Sequence, residues 1–202
     1  MGSSVTASEV MAKVIRDRIF YEQSRGGVTF SGGEPTAQPD FLDELLTECG
    51  REGISTAIDT CGSAERDVLI GLAKKSDMVL YDLKGYDDAR HVSYTGVAAT
   101  PILENLDALA QIHKSIWIRL PIITGYTDDP NEMELLASRY STYKSIKRVV
   151  LLPYHALGEA KLLKLGKNSK LAKISAPSQL SLDTLATVWK RYGFNTYMGA
   201  QQ

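Results

Sequence analysis

The chain has 202 residues, enough for one domain with a substantial buried core. A hydrophobic share of 44%, a charged share of 23% and a net charge of −1 fit a globular protein with no electrostatic drive toward nucleic acid or an anionic membrane. There is no apolar run of membrane-spanning length and no leader pattern, and the two cysteines, Cys49 and Cys61, lack CxxC spacing, so a reducing cytoplasm without a disulfide framework is expected.

Thr6-Ala7-Ser8-Glu9 has the form of a capping box, with Val5 and Val10 placed as its hydrophobic staple. The helix it opens carries Val10, Val14, Ile15, Arg18 and Ile19 and is predicted to end before Gly26-Gly27. Val28, Thr29 and Phe30 then form a strand running into a tight loop, Ser31-Gly32-Gly33-Glu34-Pro35. Adjacent glycines let main chain approach a ligand closely, Glu34 adds a fixed negative charge, and Pro35 stiffens the exit. A carboxylate beside open backbone suits a ligand with an ammonium group, such as an amino acid moiety. The next helix starts near Pro39, presents Phe41, Leu42, Leu45, Leu46 and Cys49 on one face, and ends around Gly50 and Gly53.

A strand over 55–58 delivers Asp59-Thr60-Cys61-Gly62 to a loop, after which Ser63 is placed to cap a helix reaching Lys75. Asp77 to Leu83 is a buried strand with Asp82 and Lys84 at its far end. A short helical piece over 87–94 precedes Thr100-Pro101, which reads as N-cap and first-turn proline of a helix to His113. Ile116 to Pro121 is another strand, and Asp129-Pro130-Asn131-Glu132 repeats cap, proline and capping-box acid before a helix to Tyr140. Val149 to Leu152 is an apolar strand ending at Pro153-Tyr154-His155. Residues 157–177 are basic and irregular, Ser181 is placed to cap a last helix to Tyr192, and 194–198 forms a terminal strand.

Strands alternating with helices of this length point to parallel βαβ units in an open or barrel-like α/β sheet. No repeat, low-complexity tract or linker divides the chain, so 1–202 reads as a single domain.

In such sheets the active site forms at the carboxyl ends of the strands. Here the strands end in Glu34, then Asp59, then Asp82 with Lys84, then Arg119, then His155. Singly, Asp59 reads equally as a helix cap, Lys84 as a solvated loop residue, Arg119 as a snorkelling edge residue and His155 as a backbone partner. Five consecutive strand ends carrying polar groups together define a site. Three carboxylates with a lysine and an arginine suit a zwitterionic ligand, with room for a monovalent cation between Asp59 and Asp82. Neither a zinc-type ligand spacing nor a GxSxG elbow is present, and Cys61 lacks an activating base, which favours a packing or loop role for it.

The segments GGVTFSGGEP (26–35), IDTCG (58–62), YDLKGYD (81–87), WIRLPIITGYTDD (117–129), LLPYHALGEAKLLKLG (151–166) and KRYGF (190–194) cover nearly the whole chain in order. On them the chain resembles the radical S-adenosylmethionine (SAM) superfamily, and within it the glycyl-radical-enzyme activating enzymes, the group of pyruvate formate-lyase activating enzyme. The resemblance implies a soluble oxidoreductase built on a partial (β/α)6 barrel of parallel strands, a partial TIM barrel. It assigns Gly32, Gly33 and Glu34 to the SAM amino group, and Asp82 and Lys84 to the neighbourhood of its ribose and methionyl parts. Asp59 and Thr60 would lie beside them at a cation site, Arg119 would approach both SAM and the client's glycyl loop, and His155 would contact the nucleoside end. Lys84 and Arg119 are the residues it places nearest catalysis.

The family's further implication is a [4Fe–4S] cluster on a CxxxCxxC loop, fed by a flavodoxin or ferredoxin. The cluster reductively cleaves SAM to a 5′-deoxyadenosyl radical, which takes hydrogen from a glycine of a pyruvate formate-lyase-like client. This sequence contains no CxxxCxxC. The expectation is therefore a truncated radical SAM domain, with first strand and cluster loop missing, that is inactive alone. The alternative is a non-catalytic remnant that binds SAM or a glycyl radical enzyme. A missing first strand also predicts a bare sheet edge, covered by homo-oligomerisation or strand swapping.

Overall fold

Strands alternate with helices along the chain up to the terminal strand, the pattern that lays successive strands side by side. The computed structural model describes residues 4–154 and 175–199. Its strands are β1 (Gly27–Phe30), β2 (Ser55–Thr60), β3 (Met78–Asp82), β4 (Ile116–Ile122), β5 (Ile146–Pro153) and β6 (Thr196–Met198). They form one parallel sheet in the order β1-β2-β3-β4-β5-β6. Among the described residues β1 and β6 are open margins, so the partial, unclosed (β/α) barrel expected from the sequence is what is found.

The helices are α1 (Ala7–Arg16), α2 (Arg18–Ser24), α3 (Pro39–Arg51), α4 (Arg66–Ala73), α5 (Asp88–Thr95), α6 (Ala99–Ile112), α7 (Pro130–Tyr140) and α8 (Gln179–Arg191). One parity of β2, β3 and β4 is buried, whereas β5 buries Val149, Val150 and Leu151 in succession. Ile116, Ile118, Leu120 and Ile122 of β4 join Leu106, Leu136 and Trp189 in the larger of two core clusters. The smaller cluster joins Met11 and Val14 of α1, Leu45, Leu46 and Cys49 of α3, and Phe30 and Ile58. Residues of the other parity, including Asp59, Asp82, Trp117 and Arg119, are half-buried on the opposite face. There the Arg148 guanidinium lies over the rings of Trp117 and Tyr197, at 4.2 and 5.0 Å from their centroids.

Several local expectations change. The first helix is capped by Thr6 and Glu9 as read, but it breaks at Asp17, and Ile15 and Ile19 face solvent. Ser63 does not cap α4; its N-cap is Glu65, without a side-chain hydrogen bond. Thr100 lies inside the first turn of α6, where its hydroxyl donates to Asp88 Oδ2 at 2.9 Å, and Ala98 is the N-cap. Ser178 caps α8 by accepting from Ser181 N–H at 3.1 Å, so Ser181 is its partner. For these last three helices the N-cap lies two or three residues from the expected one, because Ser and Thr bond any nearby backbone or carboxylate with similar ease.

Candidate active site

β1 ends at the buried Phe30 and the chain turns through Ser31-Gly32-Gly33. Gly32 has φ +144°, a value L side chains rarely adopt, and a Cβ on Gly32 or Gly33 would meet no atom of the described residues within 4 Å. Both glycines leave their backbone bare toward open space. Glu34 then caps a 3-10 turn over Pro35–Ala37. Its Oε1 accepts from Thr36 N–H (3.2 Å), Thr36 Oγ1 (2.8 Å) and Thr60 Oγ1 (2.8 Å), and its Oε2 accepts from Cys61 N–H (2.8 Å). The carboxylate thus ties the glycine loop to the end of β2. Burial would push the Glu34 carboxyl up, but the donors from Cys61, Thr60 and Thr36 outweigh it and hold it below the usual range. It is charged at neutral pH.

Asp82 and Arg119 face each other in register across β3 and β4, and Asp59 stands one strand further on β2. Arg119 Nε donates to Asp82 Oδ1 at 2.8 Å, and its Nη2 bonds Asp59 Oδ1. The guanidinium therefore occupies the space between the two carboxylates that the sequence reading left for a cation. Among the described residues no group of three or more His, Cys, Asp or Glu is placed to hold a metal ion. Burial pushes the Asp59 carboxyl up, Arg119 pulls it down and Asp82 pushes it up again, leaving it above its ordinary value. Lys84 Nζ lies 3.8 Å from Asp82 Oδ2, a long contact that leaves its charge open to another anion.

Glu34, Asp59, Asp82, Lys84 and Arg119 with Gly32 and Gly33 surround a pocket of about 290 Å³. It adjoins a larger cavity of about 460 Å³ walled by Tyr94, Val97, Ile102, Ile123 and Tyr126, with Cys61, Asp82 and Lys84 common to both. A polar compartment opening into an apolar one suits a ligand with a zwitterionic end and a less polar body. The sequence-predicted strand-end residues thus converge, apart from His155, which lies outside the described residues, as does most of the basic stretch 157–177.

Glu132 was misread. It is 8% exposed and turns away from its own helix terminus, where Asp129 alone caps by accepting from Asn131 N–H at 2.9 Å. Instead its Oε2 accepts from Tyr86 N–H at 2.8 Å and its Oε1 lies 2.8 Å from Arg90 Nη1. Tyr94 and Arg90 have no role in the sequence expectations, because nothing in local spacing marks side chains that bond the carbonyl of another loop.

The cysteines do not fit an iron–sulfur cluster. Cys49 is fully buried with its Sγ 3.7 Å from Met11 Sδ, and burial pushes its thiol up to about 11. Burial also raises the Cys61 thiol, aided by the Glu34 carboxylate. Two such thiols, one in the core, cannot supply the three thiolates such a site requires. Iodoacetamide at pH 8 should therefore label the native chain slowly at Cys61, and Cys49 only on unfolding. Mass spectrometry showing equal rates at both would mean that α1 does not cover α3.

The sequence profile described as the Radical SAM superfamily matches residues 2–137. The chain is 38% identical over 197 residues to the choline trimethylamine-lyase activating enzyme of Oleidesulfovibrio alaskensis, spanning 96% of this chain and 64% of that one. It is 32% identical over 194 residues to the pyruvate formate-lyase 1-activating enzyme of Escherichia coli K12, spanning 95% and 79%. Among solved structures, a domain of pyruvate-formate lyase-activating enzyme from Bacteroides vulgatus superposes with a TM-score of 0.73 at 29% identity, over 87% of this chain and 99% of that one.

Proposed function

The chain belongs to the radical SAM superfamily, among the activating enzymes of glycyl radical enzymes, and on that premise we propose that its strand-end pocket binds S-adenosylmethionine in the service of a glycyl radical enzyme client. The carrying observation is the convergence of Glu34, Asp59, Asp82, Lys84 and Arg119 on one pocket beside an apolar cavity. Bare backbone at Gly32 and Gly33, with the charged Glu34 behind it, would hold the methionyl ammonium. Lys84 would take the methionyl carboxylate, and Asp59 and Asp82 would form the rim near the ribose, with the buried Thr60 behind them bracing Glu34. Arg119, held by two carboxylates, would face SAM on one side and the client's glycyl loop on the other. His155 is proposed for the nucleoside end on the family pattern alone.

Bound SAM supplies a group for hydrogen abstraction once its carbon–sulfur bond is reductively cleaved. This chain's residues do not fit the cluster that delivers the electron, so they are assigned binding and presentation, and no redox step.

Calorimetry with the full chain tests the reading. Glu34→Gln keeps the side chain's shape but removes its charge, and a charge-assisted hydrogen bond is worth about 1.5–3 kcal/mol, so SAM should bind at least tenfold more weakly. Equal affinity in the variant, or no SAM binding by the folded parent, would reject it.

A further inference from the structure

Lys84 is held from behind. Among the described residues its ammonium makes only the long 3.8 Å contact with Asp82, so its own side chain does little to fix where it points. The main chain beneath it is gripped twice. Tyr94 of α5 donates from Oη to the Lys84 carbonyl at 2.7 Å. Glu132 of α7 accepts through Oε2 from the Tyr86 N–H at 2.8 Å. Both close on Gly85, where an added Cβ would come within 2.4 Å of Tyr94 Oη and 3.0 Å of Glu132 Oε2.

Each grip is itself anchored. The Tyr94 ring sits between His91 and Tyr126, with centroids 5.6 and 6.1 Å away. Burial, with the Glu132 charge adding to it, pushes the phenol up to about 12, so it remains a donor through the neutral range. Arg90 Nη1 donates to Asp129 Oδ2 at 2.8 Å and Nη2 to the Tyr126 carbonyl at 3.1 Å. The same Nη1 lies 2.8 Å from Glu132 Oε1, which is balanced in charge but accepts no hydrogen bond among the described residues. A buried carboxylate with one oxygen unbonded contributes little net stability. What the arrangement does provide is a fixed position for the peptide after β3.

We propose that Tyr94 and Glu132 are positioning residues for Lys84, gripping the main chain on either side of Gly85 so that its ammonium is aimed into the pocket. The proposal rests on the reading that this pocket takes SAM, whose methionyl carboxylate is the anion Lys84 would meet.

Calorimetry with SAM on the full chain and its variants tests it. Y94F and E132A should each weaken SAM about tenfold, the loss of one aimed hydrogen bond. E132Q should stay within about threefold of the parent, because its amide oxygen can still accept from Tyr86. In a K84A background, Y94F and E132A should change affinity less than about twofold, since no ammonium is left to aim. A merely structural role would lower affinity equally in both backgrounds, and that outcome overturns the proposal. Should E132A fold poorly, Y94F, which deletes a single oxygen, carries the cycle alone. A parent that binds SAM with Y94F binding equally well overturns the positioning role only. A parent that takes up no SAM overturns the reading of the pocket, and this proposal with it.

Discussion

Gly62→Ala is expected to lower the unfolding free energy by about 3–5 kcal/mol, a large part of what a domain of this size has. Gly62 follows Cys61 with φ +73°, where any L side chain costs about 1 kcal/mol. The larger cost is space. An added Cβ would lie 1.8 Å from Tyr81 Oη and 2.2 Å from its Cζ. That ring is fully buried, and its hydroxyl donates to the Ile102 carbonyl at 2.7 Å. Moving it breaks a buried hydrogen bond and overpacks the core, about 1–3 kcal/mol for each effect. The Gly62 carbonyl also accepts from Asn105 Nδ2 at 2.9 Å, so the loop has little freedom to back away. Urea denaturation of the variant checks this, and a loss below about 1 kcal/mol would mean the ring relocates with ease.

Arg119→Met should cost about 2–3 kcal/mol at pH 7, below the range for a fully buried pair because all three side chains retain about a fifth of their exposure. The variant leaves Asp59 and Asp82 facing each other without the guanidinium. Asp59 already has its carboxyl raised by burial, and loss of Arg119 removes what pulls it down. An acid whose folded pKa exceeds its unfolded one binds more protons when folded, so its stability contribution is lost as pH rises through the folded value. The deficit should therefore shrink as pH falls from 7 toward the ordinary value of 3.8. Urea midpoints at pH 7 and pH 5 give the comparison; an equal deficit at both would show that repulsion between the carboxylates is not its source.

The strands and the charges at their ends were legible because each is a local signal: alternation of buried and half-buried residues, then a polar residue where the apolar run stops. Which charge meets which was not. Arg119 bonds Asp82 and Asp59 through a register set by chain segments 37 and 60 residues away. Glu34 shows the same limit. Its place at the glycine loop followed from the sequence, but its use as a brace on Thr60 and Cys61 depends on β1 lying beside β2. Glu132 fits the capping-box spacing equally well whether it caps or turns inward, and the tertiary partners Tyr86 and Arg90 decide the matter. The local pattern is correct about where the helix starts and wrong about what its third residue does.

Because the strand order of the sheet is also the order of synthesis, each strand pairs with the one made just before it, and no strand has to be threaded between two others. Every pocket residue from Gly32 to Arg119 belongs to the first four strands or their loops. The pocket can be laid out while the carboxyl-terminal part of the chain is still on the ribosome, with local pairing at each stage. During that interval β4 is the growing edge, and Ile116, Ile118, Leu120 and Ile122 await Trp189 and the rest of α8. The nascent chain is thus most prone to wrong pairing at β4, next to a pocket that already has its shape.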